Sequence, residues 1–213
     1  MNRAFFVGFV ARVMGCFFAG AFLTGAVAAE VVEAGAGKKS TRPPYEVPQQ
    51  FAVEFVNHHL RGMFVAAFSD VNKRRAEWGQ RGAGDTVTWI RNGSVCYHVF
   101  MPSKPGERGT YTSGMGSFHN TPLNLIFPVG TWEKIGTEKV GGVLADKYRL
   151  TNIRNQHKNI VGTYWIDPAT RVPIRFTVAP EKGGRRNVFE RTRFEIGPQA
   201  DVLFRPPAGY VRK

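Results

Sequence analysis

The chain has 213 residues, 29 Lys+Arg against 16 Asp+Glu, a formal charge of +13 and 43% hydrophobic residues. That composition excludes a disordered chain and points to a single domain with one sizeable core. Two cysteines are too few for a disulfide framework or a cysteine-rich zinc module.

At the amino terminus, Arg3 and Arg12 precede an apolar stretch that ends in Thr24-Gly25-Ala26-Val27-Ala28-Ala29 before Glu30. A positive leader, a short apolar segment and small residues at the cut site predict a cleaved secretory signal peptide over residues 1–29, and so a periplasmic protein. The apolar stretch is shorter than the ~20 residues a bilayer crossing needs, which argues against a retained anchor. Arg12 breaks the run that a lipoprotein signal ending at Cys16 needs. Cleavage removes Cys16 and leaves Cys96 as the only thiol, expected to be buried filler.

Residues 30–49 are rich in Gly, Ala, Lys, Ser and Pro without apolar periodicity, which predicts a flexible tether. From residue 50 onward the apolar residues recur mainly with period 2. Residues 51–56, 63–68, 86–91, 95–101, 144–151, 160–167, 172–179 and 187–196 all read as strands. Asn92-Gly93, Gly141-Gly142, Asp167-Pro168 and Gly183-Gly184 separate them as turns. The expectation is about eight to ten strands in an antiparallel sheet or open barrel, because such short connections cannot make parallel crossovers. Residues 113–127 do not alternate and predict a short helix or lid across the sheet.

Both faces of the later strands carry bulky groups, as where Trp165 opposes Tyr164 and Ile166. A curved sheet with large aromatics on its concave side either fills that side or leaves an apolar cavity there. The cavity candidates are Phe51, Phe55, Phe64, Phe68, Trp89, Phe100, Phe118, Phe127 and Trp165. The alternative is that these rings pack the core.

Basic residues cluster at Lys73-Arg74-Arg75, just after a strand, and at Lys182-Gly183-Gly184-Arg185-Arg186, a hairpin tip. Both clusters are expected to be exposed. Lys73, Arg74, Arg75, Lys182, Arg185 and Arg186 would attract an anionic membrane surface, or else simply keep the protein soluble. Export argues against nucleic acid, and no aromatic-basic recognition signature is present.

No constellation for catalysis stands out. Cys96 and His98 share a strand face, but two ligands do not make a metal site. There is no Gly-x-Ser-x-Gly elbow and no His-Glu-x-x-His helix. The expectation is a non-enzymatic protein without metal or cofactor.

Five segments occur in a telling order: residues 136–143 (GTEKVGGV), 147–150 (KYRL), 162–167 (GTYWID), 172–175 (VPIR), and 201–204 (DVLF) with 207–210 (PAGY). Together they resemble the LolA-like superfamily of exported lipoprotein and lipid carriers, as does residues 72–77 (NKRRAE), where such proteins carry a strand with Arg-x-Glu. The resemblance covers roughly residues 51–211. It implies a mainly β, open antiparallel half-barrel over residues 50–213, with one or two short helices covering the concave face. It also implies a lipid or acylated lipoprotein as partner, held in an apolar cavity without catalysis or cofactor. An envelope protein-interaction or sensory module with the same fold is the alternative.

Overall fold

Alternating burial builds most of this structure, because successive side chains of a strand point to opposite faces of its sheet. The computed structural model describes residues 37–60, 62–80, 86–102, 104, 106–115, 121–153 and 160–213. The predicted signal peptide, the predicted tether up to residue 36, and Phe118 lie outside the described residues.

The first six strands are β1 (Phe51–Asn57), β2 (Met63–Asp70), β3 (Lys73–Gln80), β4 (Val87–Asn92), β5 (Val95–Phe100) and β6 (Thr110–Gly114). A single helical turn, α1 (Leu123–Ile126), follows. Then come β7 (Thr131–Val140), β8 (Val143–Ile153), β9 (Ile160–Ile166), β10 (Pro173–Pro180) and β11 (Asn187–Ile196). A 3-10 turn at Asp201–Phe204 leads to β12 (Val211–Arg212).

All twelve described strands form one sheet, in the order β12-β6-β5-β4-β3-β2-β1-β11-β10-β9-β8-β7. Neighbours are antiparallel except β12 with β6. The end strands β7 and β12 do not pair, so the sheet is open. The protein is therefore mainly β, as its alternation predicts. Hairpins are tight: Gly141 and Gly142 have φ of 55° and 85°, the left-handed pair that a two-residue turn between β7 and β8 requires.

The strand count exceeds the expected eight to ten. Strand β3 carries charges on both faces, β6 is short, and β7 loses its alternation at a bulge between Lys134 and Gly136. Residues 110–114, partly assigned to the expected lid, are strand β6 instead.

One face, here the inner face, carries the main core. Phe51, Phe55, Tyr164, Phe176 and Phe189 line it, and Tyr45, Ile126 and Phe127 cover them. The rings interlock. Tyr164, Phe176 and Phe189 stack in series at 5.4 and 4.9 Å between centroids, and Phe51 meets Phe127 edge-on at 5.7 Å. Gly162 permits this: a Cβ there would lie 2.8 Å from the Tyr164 ring. Two buried hydroxyls fasten the cover, Tyr164 donating to the Leu125 carbonyl at 2.8 Å and Tyr45 to the Pro128 carbonyl at 2.7 Å.

Among the described residues, α1 is the only helix on the inner face. The 3-10 turn lies on the outer face, where Phe204 packs with Ile90 and Val99, so one helical piece covers the core rather than two. A register shift at Glu54/Phe55 also changes β11. It sets Phe189, Arg191, Phe194 and Ile196 all opposite inner-face residues of β1, whereas simple alternation separates Phe189 and Arg191 from the other two.

Candidate functional site

The inner face has two unlike halves. From β2 through β1 and β11 to β7 it is the closed aromatic core. Over β3 to β6 it is more exposed: Ala76 and Cys96 are buried and Trp78 and Val87 half-buried, but Arg74, Arg91, His98 and Phe100 are exposed. Pairing register puts Arg74, Arg91 and Cys96 in one row of that half. The next row is Ala76, Trp89, His98 and Thr112, and the third is Trp78, Val87, Phe100 and Thr110. Consecutive rows are roughly 7 Å apart, two residues along a strand. Trp89 is half-buried, His98 is exposed and Phe100 is 40% exposed. Trp89 and His98 meet edge-on at 6.3 Å.

At the Arg74–Arg91 end of these rows lies a cleft of about 600 Å³. Its walls include Gln49 from the segment before β1, Ser69 from β2, Asn72 and Ser94 from turns, and both arginines. The Ser69 hydroxyl donates to the Gln49 carbonyl at 2.9 Å, tying that segment to the sheet. Asp70 lines the cleft as well, but its carboxylate is already occupied. The Gln50 amide at 2.7 Å, the Val71 N–H at 2.6 Å and the Gln199 N–H at 3.3 Å all donate to its carboxylate and hold its pKa below the ordinary value. Among the described residues neither Arg74 nor Arg91 has a carboxylate partner, though Arg91 Nε donates to the Gly93 carbonyl at 3.0 Å. The cleft is polar and cationic.

The aromatic cavity candidates do not converge. Phe51, Phe55 and Phe127 are buried in the closed core, packed on each other's neighbours. Trp89 and Phe100 stand in the more exposed half. Phe64, Phe68 and Trp165 point to the outer face, because each alternates with an inner-face neighbour, so no single cavity joins all nine. Trp165 is buried there beneath Lys147 and Arg175, with its indole N–H donating to Glu138 at 2.9 Å. Phe118 lies outside the described residues.

The two basic clusters sit at opposite ends of the sheet. Lys182, Arg185 and Arg186 are exposed in the β10–β11 connection, and Arg185 donates to the His59 carbonyl at 3.1 Å, beside the β1–β2 turn. Lys73, Arg74 and Arg75 begin β3 at the other end. They are a strand start and not a free tail. Lys73 pairs with Asp201, and Arg75 pairs with Glu77 while donating to the Leu203 carbonyl at 2.9 Å. Only Arg74 of the three faces the cleft. Their expected exposure as a group is corrected accordingly: Lys73 and Arg75 hold the carboxy-terminal segment on the outer face.

Cys96 is buried at 6% exposure and forms no disulfide. No group of three or more His, Cys, Asp or Glu is arranged for a metal ion among the described residues. The arginine pair is hidden from sequence reading because it depends on the register that sets Arg74, in a basic cluster, against Arg91, which belongs to none. Its only signal is the basic end of each strand.

No protein-family profile matches this chain, and no curated protein matches it in sequence. Among solved structures it is similar to an uncharacterized conserved protein from Thermus thermophilus. The two are 12% identical with a TM-score of 0.53, over 78% of this chain and 92% of that one. That likeness shows a shared fold. A DUF1329 family protein from Desulfovibrio piger also aligns, at 9% identity and a TM-score of 0.27 over 75% of this chain and 91% of that one. The second superposes too loosely to bear on the fold.

Proposed function

We propose that this is an exported envelope protein that binds a lipid, or the acyl chain of a lipoprotein, without catalysis, in the manner of LolA-like carriers. The observation that carries the reading is the divided inner face. One half is a self-filled aromatic core, and the other presents half-buried Val87 and Trp89 and the 40% exposed Phe100 on one sheet face. A shallow apolar surface suits a carrier. Each buried methylene stabilises by ~0.8 kcal/mol, so partial enclosure holds a chain while still allowing release.

The self-filled core favours a second reading, an interaction or sensory module that carries no cargo. Phe51, Phe55 and Phe127 meet their own aromatic neighbours rather than an empty space. Native mass spectrometry of the protein purified from a bacterial envelope, followed by organic extraction, separates the two. A bound lipid or acylated species supports the carrier. A clean protein mass with no uptake of a fluorescent fatty acid rejects it and leaves the interaction module.

A further inference from the structure

Cross-strand neighbours of like charge repel, and sheets usually avoid them. Arg74 and Arg91 are directly opposite each other on β3 and β4, on one face, and among the described residues neither forms an ion pair: Asp70, the carboxylate of the same cleft, is held by Gln50, Val71 and Gln199. Both arginines line the cleft, whose other polar groups are the hydroxyls of Ser69 and Ser94, the amides of Gln49 and Asn72, and the Asp70 carboxylate, which leaves two cations against one anion. A guanidinium pair of this kind matches an oxyanion, which each fork can bind with two N–H groups. Running away from the pair on the same face are Trp89, one row on, then Val87 and Phe100, two rows on. A cationic cleft therefore opens onto an apolar strip whose far row lies about 14 Å from the arginines at the spacing of strand residues.

We infer that Arg74 and Arg91 form a head-group site for a carboxylate or phosphate, and that the protein's cargo is an anionic amphiphile. Its head sits at the β2–β3 and β4–β5 turns and its chain lies along Trp89 toward Phe100. The inference rests on the lipid-binding reading for the chain and on the arginine pair for the head. It sets the direction in which cargo lies and excludes neutral lipids as the preferred ligand.

Titration of the purified protein at low salt with palmitate, with methyl palmitate and with inorganic phosphate tests both parts. Palmitate is expected to bind at least about tenfold more tightly than its ester, as charge-assisted hydrogen bonds to two arginines imply. In the Arg74→Gln/Arg91→Gln variant, with its fold checked by circular dichroism, palmitate loses that advantage. Equal binding of acid and ester by the unaltered protein overturns the head-group site while leaving lipid binding intact. Phosphate binding that the variant loses, without uptake of either amphiphile, supports the anion cleft and removes the lipid reading. Binding of none of the three overturns both.

Discussion

Arg74 of β3 and Arg91 of β4 face each other across the sheet with the same charge on the same side. Like charges in this position cost stability, on the order of 0.2–1 kcal/mol. Replacing either arginine by Gln is therefore expected to stabilise the unliganded protein in urea denaturation. The second replacement should add less than the first, because the repulsion is already gone. At high salt the gain should shrink, as screening removes what the substitution removed. A loss of stability in either single variant would show that the guanidiniums have a partner in the fold.

The closed and more exposed halves of the inner face predict opposite responses to truncation. Phe176 is wholly buried, stacked on Tyr164 and Phe189 and 4.9 Å from Phe55. Phe176→Ala should cost about 3–5 kcal/mol. Phe100, 40% exposed at the end of β5, should cost under about 1 kcal/mol on the same change. Its loss should instead weaken amphiphile uptake. Denaturation curves and binding isotherms on the two variants read these effects separately.

Acid should unfold the protein partly through Asp167. Burial works against its charge, but the Thr170 hydroxyl and the Ala169 N–H, each at 2.9 Å, together with nearby Arg191, hold its pKa below the ordinary value. A carboxylate with a lowered folded pKa contributes stability that is present above the unfolded value, about 3.9, and lost as pH falls through the folded one. Arg191 depends on the pair as well. It lies 3.6 Å from Asp167 with side-chain exposures of 15% and 10%, and burial lowers its own pKa. Asp167→Asn should destabilise at neutral pH by about 3 kcal/mol, since it leaves a mostly buried guanidinium unpaired. It should also flatten the stability profile below about pH 4. Stability measured in urea at several pH values checks both.

Because the basic clusters occupy opposite ends of the sheet, they should behave differently. Arg185→Glu with Arg186→Glu is expected to weaken binding to vesicles rich in anionic lipid and to flatten its salt dependence, at ~1 kcal/mol per basic residue near the surface. Arg75→Gln should instead destabilise the fold, because it removes the pairing to Glu77 and the bond to the Leu203 carbonyl. Vesicle sedimentation and thermal melts distinguish the two. Unchanged vesicle binding after the Arg185/Arg186 reversal would reject a membrane role for that end.

Much of the sheet is legible in the sequence because half-buried strands must alternate. β1, β2, β4, β5 and β8 to β11 all show this, and their turns carry the expected Gly, Asn and Asp residues. β3 escapes as an ordinary alternating strand because its outer-face charges, Lys73 and Arg75, bind the carboxy-terminal segment instead of facing water. β7 escapes because its bulge shifts the period midway. The candidate site is less legible. Single residues such as Trp89 and Phe100 can be named, but their division from Phe64, Phe68 and Trp165 depends on which face each strand turns inward. The opposition of Arg74 and Arg91 likewise follows from register, which no local pattern encodes.

Quenching of tryptophan fluorescence by a bromine-labelled fatty acid tests the account most directly, since bromine quenches only rings it approaches. Of the four tryptophans, Trp132 and Trp165 are buried in separate clusters, Trp89 stands beside the cationic cleft, and half-buried Trp78 lies one row further on, next to Val87. Saturable quenching is expected that falls in Trp89→Phe, is mostly lost in Trp78→Phe/Trp89→Phe and is retained in Trp165→Phe. Quenching that survives Trp89→Phe undiminished, or none at all at saturating fatty acid, would contradict it.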